Sequence, residues 1–125
     1  MKKNLSIMVI DDENIVGKRL KPALEKNGDT VETFTDARNA LERFNEKRFD
    51  IVVSDIRMDD IDGLEVLEQV LARSERTKVI IITGYATVEV AQEALVKGAF
   101  DFIAKPFKPN DLRSIIDKAA KELDA

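Results

Sequence analysis

Five short runs rich in β-branched residues alternate with five amphipathic stretches along this 125-residue chain, and the alternation leaves few ways to fold it. Residues 5–10, 51–53, 79–82 and 100–104 are apolar throughout or nearly so, as in strands buried on both faces of a sheet. Residues 31–34 alternate instead, which marks an edge strand. Between the strands lie helical stripes: Val16, Leu20, Ala23 and Leu24, then Ala37, Ala40, Leu41 and Phe44, then Leu64, Leu67, Val70 and Leu71. Val90, Ala91, Ala94 and Leu95 form the fourth, and Leu112, Ile115, Ile116, Ala119 and Leu123 the last. Gly28 and Gly98 stand where helix C-terminal caps are expected, and Asn110 or Asp111 near the start of the last helix. Pro22 falls inside the first helical stretch, where it should kink the helix or remove a hydrogen bond. Successive βα units predict an α/β parallel sheet with right-handed crossovers and helices on both faces. No linker, repeat or low-complexity tract interrupts them, so a single domain over residues 1–125 is expected.

Composition removes whole classes of chemistry. The chain has no histidine, which excludes His-based acid–base catalysis, imidazole metal sites and a phosphohistidine carried here. It has no cysteine, hence no disulfide framework and no thiolate metal site, in keeping with a cytoplasmic location. A divalent cation would therefore need oxygen ligands. The net charge of -4 argues against direct nucleic-acid binding. No apolar run approaches membrane-spanning length. The first such run ends at Ile10, before two aspartates, and reads as a strand rather than a secretory signal.

The informative polar residues sit at strand ends: the acidic run Asp11-Asp12-Glu13, Asp55, Thr83 and Lys105. Ligands of doubly wound sheets bind beyond the carboxyl ends of the strands. Singly, each residue has an ordinary explanation. An acid pair before a helix serves as a cap, a lone Asp or Thr as a turn residue, and Lys-Pro as a loop dipeptide. Together, at successive strand ends, they describe one site. Three close carboxylates need a cation, and a sparse oxygen set suits Mg2+, or Mn2+ in its place. Asp12 and Asp55 are assigned as direct ligands, Asp11 as acting through a water, and the Arg57 main-chain carbonyl as completing the set. One Asp55 oxygen then stays free to attack phosphorus, with Lys105 neutralising the developing charge. The Thr83 hydroxyl and the amides around Gly84 and Arg57 would hold the equatorial oxygens. The chemistry expected is phosphoryl transfer to an aspartate.

The acid pair, Asp55-Ile56-Arg57-Met58 followed by Asp62-Gly63, Thr83-Gly84 and Lys105-Pro106-Phe107 together resemble a bacterial response-regulator receiver domain over essentially the whole chain. The resemblance implies a flavodoxin-like fold with strand order 2-1-3-4-5 and Asp55 as phosphoacceptor. The donor would be a sensor histidine kinase or a phosphotransfer protein. It further implies a cis Lys105–Pro106 peptide that aims Lys105 into the site. Thr83 and Phe102 would be the switch pair, acting on a surface over roughly residues 87–123 that meets a downstream effector or output domain. A phosphorylation-dependent homodimer is also compatible with it. Phenylalanine lacks the hydroxyl of the more usual tyrosine, so Phe102 would report sterically. Gly84 leaves room for a donor, while Arg57 and Tyr85 are placed to cover the phosphoryl group. One departure is Asp59, followed by Asp60, where receivers often carry proline.

Residues 82–89 and 98–102 look most like receivers attached to enhancer-binding regulators, although no DNA-binding segment is present to carry over. A phosphatase of the haloacid dehalogenase type would want its second Asp two residues after the first, where this chain has Glu13 after Asp11. A flavodoxin-like FMN carrier would want a Ser/Thr/Gly-rich first loop, where this one is acidic.

Overall fold

The computed structural model describes residues 4–58, 61–84 and 88–123. Ten elements alternate: β1 (Ser6–Ile10), α1 (Asn14–Glu25), β2 (Thr30–Phe34), α2 (Ala37–Glu46), β3 (Ile51–Asp55), α3 (Gly63–Arg73), β4 (Lys78–Thr83), α4 (Val88–Val96), β5 (Asp101–Ala104) and α5 (Pro109–Leu123). The five strands form one parallel sheet in the order β2-β1-β3-β4-β5, the flavodoxin-like order. Strand order reverses after β1, which places the crevice between β1 and β3 at the carboxyl edge.

The core has two layers, sorted by the two-residue period of the strands. Met8, Ile10, Val52, Val79 and Ile81 pack toward α2, α3 and α4. Ile7, Val9, Val53, Ile80 and Ile82 pack toward α1 and α5. The three central strands are buried on both faces, which is why their sequences are continuously apolar. β2 alternates, as an edge strand should. β5 departs from the sequence expectation: all four of its residues are only half-buried, because it is the other edge and only β4 pairs with it.

Local signals explain most helix ends. Asp36 and Asp62 cap α2 and α3 through their carboxylates, which accept from Arg38 N and Glu65 N. Gly98 adopts φ +107°, with Gly98 N bonded to Leu95 O and Ala99 N to Ala94 O, a Schellman closure of α4. Gly28 has φ +88° after α1. The last helix starts at Pro109, with Asn110 and Asp111 in its first turn as expected. Pro109 takes the first helical position, which needs no N–H, and Asp111 reaches back to accept from Lys108 N at 3.1 Å. Pro22 lies within α1 without ending it; it is on the exposed side, where water can satisfy the carbonyl it orphans.

Buried polar groups fasten the amino edge of the sheet. Asp29 Oδ1 accepts from Leu5 N at 2.9 Å, and its Oδ2 takes both Arg113 terminal nitrogens, at 3.0 and 2.9 Å. The Arg113 side chain is largely buried and Asp29 fully so, which ties α5 to the turn before β2. Farther along α5, Arg76 donates to Leu123 O at 2.7 Å and Lys78 pairs with Glu122 at 3.4 Å.

At the opposite edge, Gly63 brings α3 against the end of β3. Gly63 N donates to Ile56 O at 2.8 Å. A Cβ there would lie 2.4 Å from Asp55 O and 2.7 Å from Ile56 Cα, both main-chain atoms that cannot swing aside. Gly63→Ala is therefore expected to lower unfolding stability by about 1–3 kcal/mol, the usual range for forced overpacking. Urea denaturation checks this, and an unchanged midpoint would show that the backbone relaxes freely.

Candidate functional site

The parallel register delivers the polar residues to one edge. Asp11 follows β1, Asp55 ends β3, Thr83 ends β4 and Lys105 follows β5. Strand parity then sorts them. Asp11 and Asp55 continue the series Ile7, Val9 and Ile51, Val53, which face α1 and α5, and Lys105 continues from Ile103 on that same side. Thr83 continues Val79 and Ile81, which face α2 to α4. The three charged groups accordingly meet, and Thr83 stands at the neighbouring strand end, one residue beyond the Asp55–Ile82 pair, buried to 1 % exposure.

Lys105 Nζ lies 2.8 Å from Glu13 Oε1, 3.0 Å from Asp11 Oδ2 and 3.2 Å from Asp55 Oδ2. Its main chain is held by Lys105 N donating to Thr83 O at 2.8 Å, and the Lys105–Pro106 peptide is cis, as expected. Asp11 Oδ1 accepts from Glu13 N at 2.9 Å and so closes the turn into α1. Arg57 N donates to Asp55 Oδ1 at 3.4 Å, a long bond, while the Arg57 side chain is exposed. Asp11 and Asp55 are buried, whereas Asp12 and Glu13 are exposed.

Burial is the largest influence on Asp11 and raises its pKa above 3.8. The Glu13 amide and Lys105 act against that shift, and the Asp55 charge adds to it. Lys105 bonding holds the Glu13 carboxyl below its ordinary value. Partial burial works to lower the Lys105 pKa, but the hydrogen bond to Glu13, the ion pair with Asp11 and the Asp55 charge outweigh this and push it well above the usual lysine range. Lys105 is thus a fixed cation at any ordinary pH.

One oxygen stands out. Asp11 Oδ2 is buried and receives no hydrogen bond, since its 3.0 Å approach to Lys105 is an ionic contact without hydrogen-bond geometry. A buried acceptor without a donor is uncommon and expensive. Asp11, Asp12, Glu13 and Asp55 can each present a carboxylate oxygen so that all four lie within 4.8 Å of one another. Hard oxygen donors, crowded charge and an unsatisfied buried acceptor together fit a divalent cation of the Mg2+ class.

Of the other residues expected at the site, Gly84 is exposed just past β4, and Phe102 is half-buried against the α2–α4 core layer. Phe102 pairs with Ile81 across β4–β5, which puts it on the Thr83 side of the sheet. Tyr85, Asp59 and Asp60 lie outside the described residues. Two contributors are visible only in three dimensions. Glu13 is a Lys105 partner 92 positions away along the chain, and Gly63 underlies Asp55 by close approach. In the sequence, Gly63 stands out only as part of the Asp62-Gly63 pair, and Glu13 only as a member of the acidic run.

These electrostatics make a prediction for the metal-free protein. A raised Asp11 pKa means that the fold prefers the protonated acid, so ionisation removes stability progressively as pH rises from 3.8. Asp11→Asn is expected to be more stable than the natural protein at pH 7 in chelator, by about 1–2 kcal/mol. The gap should close as pH is lowered toward 3.8. Thermal denaturation across that range checks it, and an Asp11→Asn protein less stable at pH 7 would refute it.

Comparison with known proteins agrees with the geometry. The family model of the response regulator receiver domain matches residues 7–117. Regulatory protein AtoC of Escherichia coli (strain K12) is 39% identical over 113 residues, covering 90% of this chain and 24% of AtoC. Transcriptional regulatory protein FixJ of Bradyrhizobium diazoefficiens is 36% identical over 118 residues, covering 94% of this chain and 58% of FixJ. The chain thus spans about a quarter to rather more than half of these relatives. Among solved structures, the CheY-like receiver domain protein from Methanospirillum hungatei JF-1 superposes with TM-score 0.92 at 30% identity, covering 98% of both chains. The beryllofluoride-activated NtrC4 receiver domain dimer gives TM-score 0.89 at 32% identity, covering 94% of this chain and 98% of that one. With an acid-lined crevice at the carboxyl edge, a β2-β1-β3-β4-β5 sheet and a family match over most of its length, this chain belongs to the response-regulator receiver domains, the aspartate-phosphorylated modules of two-component signalling.

Proposed function

We propose that Asp55 is the phosphoacceptor and that this receiver takes its phosphoryl group from a sensor histidine kinase or a phosphotransfer protein. The observation that carries this reading is the position of Asp55: buried at the end of β3, with one carboxylate oxygen 3.2 Å from the Lys105 ammonium and the acid pair beside it. An Asp55 oxygen attacks phosphorus, the bond between phosphorus and the donor's leaving atom breaks, and that electron pair departs with the donor. The product is an acyl phosphate on Asp55. Lys105 neutralises charge on the transferring group, and the Thr83 hydroxyl, with the amides around Gly84 and Arg57, binds its oxygens.

Mg2+, or Mn2+ in its place, fits the acid cluster, with Asp12 and Asp55 as ligands, Asp11 acting through a water and the Arg57 carbonyl completing the protein's share. When bound, the cation shares with Lys105 the neutralisation of phosphoryl charge. The unsatisfied Asp11 Oδ2 supports this assignment. Phosphorylation then biases Thr83 and Phe102, which share one side of the sheet, and so alters the face formed by α4, β5 and α5. That face meets a downstream effector, an output domain or a second copy of the chain. The Arg57 side chain, exposed at the rim, covers the phosphoryl group and slows attack by water. No described helix is long and apolar enough to cross a membrane.

Intact mass after incubation with acetyl phosphate tests the central claim. One added phosphoryl group is expected on the natural protein with Mg2+, and none in chelator or on Asp55→Asn. Lys105→Ala should still bind Mg2+ but lose most phosphoryl uptake. An adduct that survives Asp55→Asn would refute the assignment of Asp55, and normal uptake by Lys105→Ala would refute the role of the ammonium.

A further inference from the structure

Lys105 has more anionic partners than its hydrogen bonds satisfy. Its ammonium carries three protons, and it makes hydrogen bonds to Glu13 Oε1 at 2.8 Å and Asp55 Oδ2 at 3.2 Å. Asp11 Oδ2, equally close at 3.0 Å, gets none. The shortest contact thus goes to the most exposed of the three carboxylates. The Glu13 side chain is 61% exposed, against 1% for Asp11 and 8% for Asp55. Water could serve Glu13 and cannot easily serve Asp11, so the arrangement is not the one that burial alone would select.

Glu13 owes its place to the same aspartate. Its N–H donates to Asp11 Oδ1 at 2.9 Å, and its carbonyl accepts from Val16 N at 3.0 Å, which fixes its main chain at the head of α1. From there its side chain reaches the lysine on the solvent side.

We propose that Glu13 is a positioning residue that draws Lys105 outward and thereby keeps the buried Asp11–Asp55 pair open to a divalent cation. It rests on the reading of the acid cluster as a cation site. Without Glu13, the proton it engages turns to Asp11 Oδ2, and the ammonium closes over the two buried carboxylates. The cation must then displace a better-bonded lysine. Glu13 works through Lys105 in this scheme, and it is neither a ligand nor a group that touches phosphorus.

A double-mutant cycle tests it, read by calorimetric Mg2+ titration at pH 7 and 0.15 M salt, so that binding is measured apart from phosphorylation. Glu13→Ala should weaken Mg2+ binding by about two- to fivefold, the scale of a partly exposed ion pair. Lys105→Met should tighten binding, and adding Glu13→Ala to it should leave affinity unchanged. Glu13→Gln, which retains the hydrogen-bond acceptor, should lie between natural protein and Glu13→Ala. Equal weakening with and without Lys105 would overturn the proposal, since Glu13 would then act on the cation directly. So would unchanged affinity in Glu13→Ala alone. If the natural protein bound no Mg2+, the cation reading itself would fail, an outcome distinct from either of these.

Discussion

Placing several carboxylates at one sheet edge is the difficulty around which this molecule is organised. Asp11 and Asp55 are buried, and two further acids stand within the same cluster. Burial raises the pKa of Asp11, and the charge of Asp55 adds to that shift. Lys105 makes the arrangement tenable. It comes from the far end of the sequence on a strand that does not pair with either acid-bearing strand, and its ammonium lies within 3.2 Å of three acids. Because one cation cannot satisfy three anions, the site retains a residual negative charge and an acceptor without a donor. A site left in that condition suits a hard divalent cation.

The sheet turns this electrostatic problem into a positional one. Parallel pairing brings β1, β3, β4 and β5 to the same edge, so residues separated by tens of positions meet without a long loop. Parity gives the charged residues one side and Thr83 the other, with Phe102 on the side of Thr83. The charged groups and the Thr83–Phe102 pair therefore occupy opposite layers of the same fold, joined through β3 and β4. Gly63 adds rigidity beneath Asp55, where α3 starts against the β3 main chain with no room for a side chain.

Much of this was legible in the linear sequence because its causes are local. Continuous apolar runs give doubly buried strands, alternation gives β2, and a glycine past a helical stripe gives the closure of α4. Asp11, Asp55 and Lys105 were legible as a group because strand ends converge in any parallel sheet. What stayed hidden depends on three-dimensional neighbours. β5 reads as a core strand, yet all four of its residues are only half-buried, since an edge position is a property of the sheet and not of the segment. Pro22 reads as a helix breaker, but the side of α1 it occupies decides its effect. Glu13 looks like one more acid in a run, and only the folding of Lys105 back over α1 reveals its engagement. The Asp29–Arg113 pair had no sequence signature at all, because its partners are 84 positions apart and neither belongs to a motif.

That last pair has a mechanical consequence. α5 begins a short loop after Lys105 and is held at two places: Arg113, in its second turn, on Asp29, and at its far end the carbonyl of Leu123 and the carboxylate of Glu122 on Arg76 and Lys78. A rod fixed at two points neither slides nor tilts when its near end is pushed; only the part before the first fixed point can give. Any movement of Lys105 should therefore be absorbed between Pro106 and the first turn of α5. The ion pair that looks most remote from the chemistry would then serve as its stop.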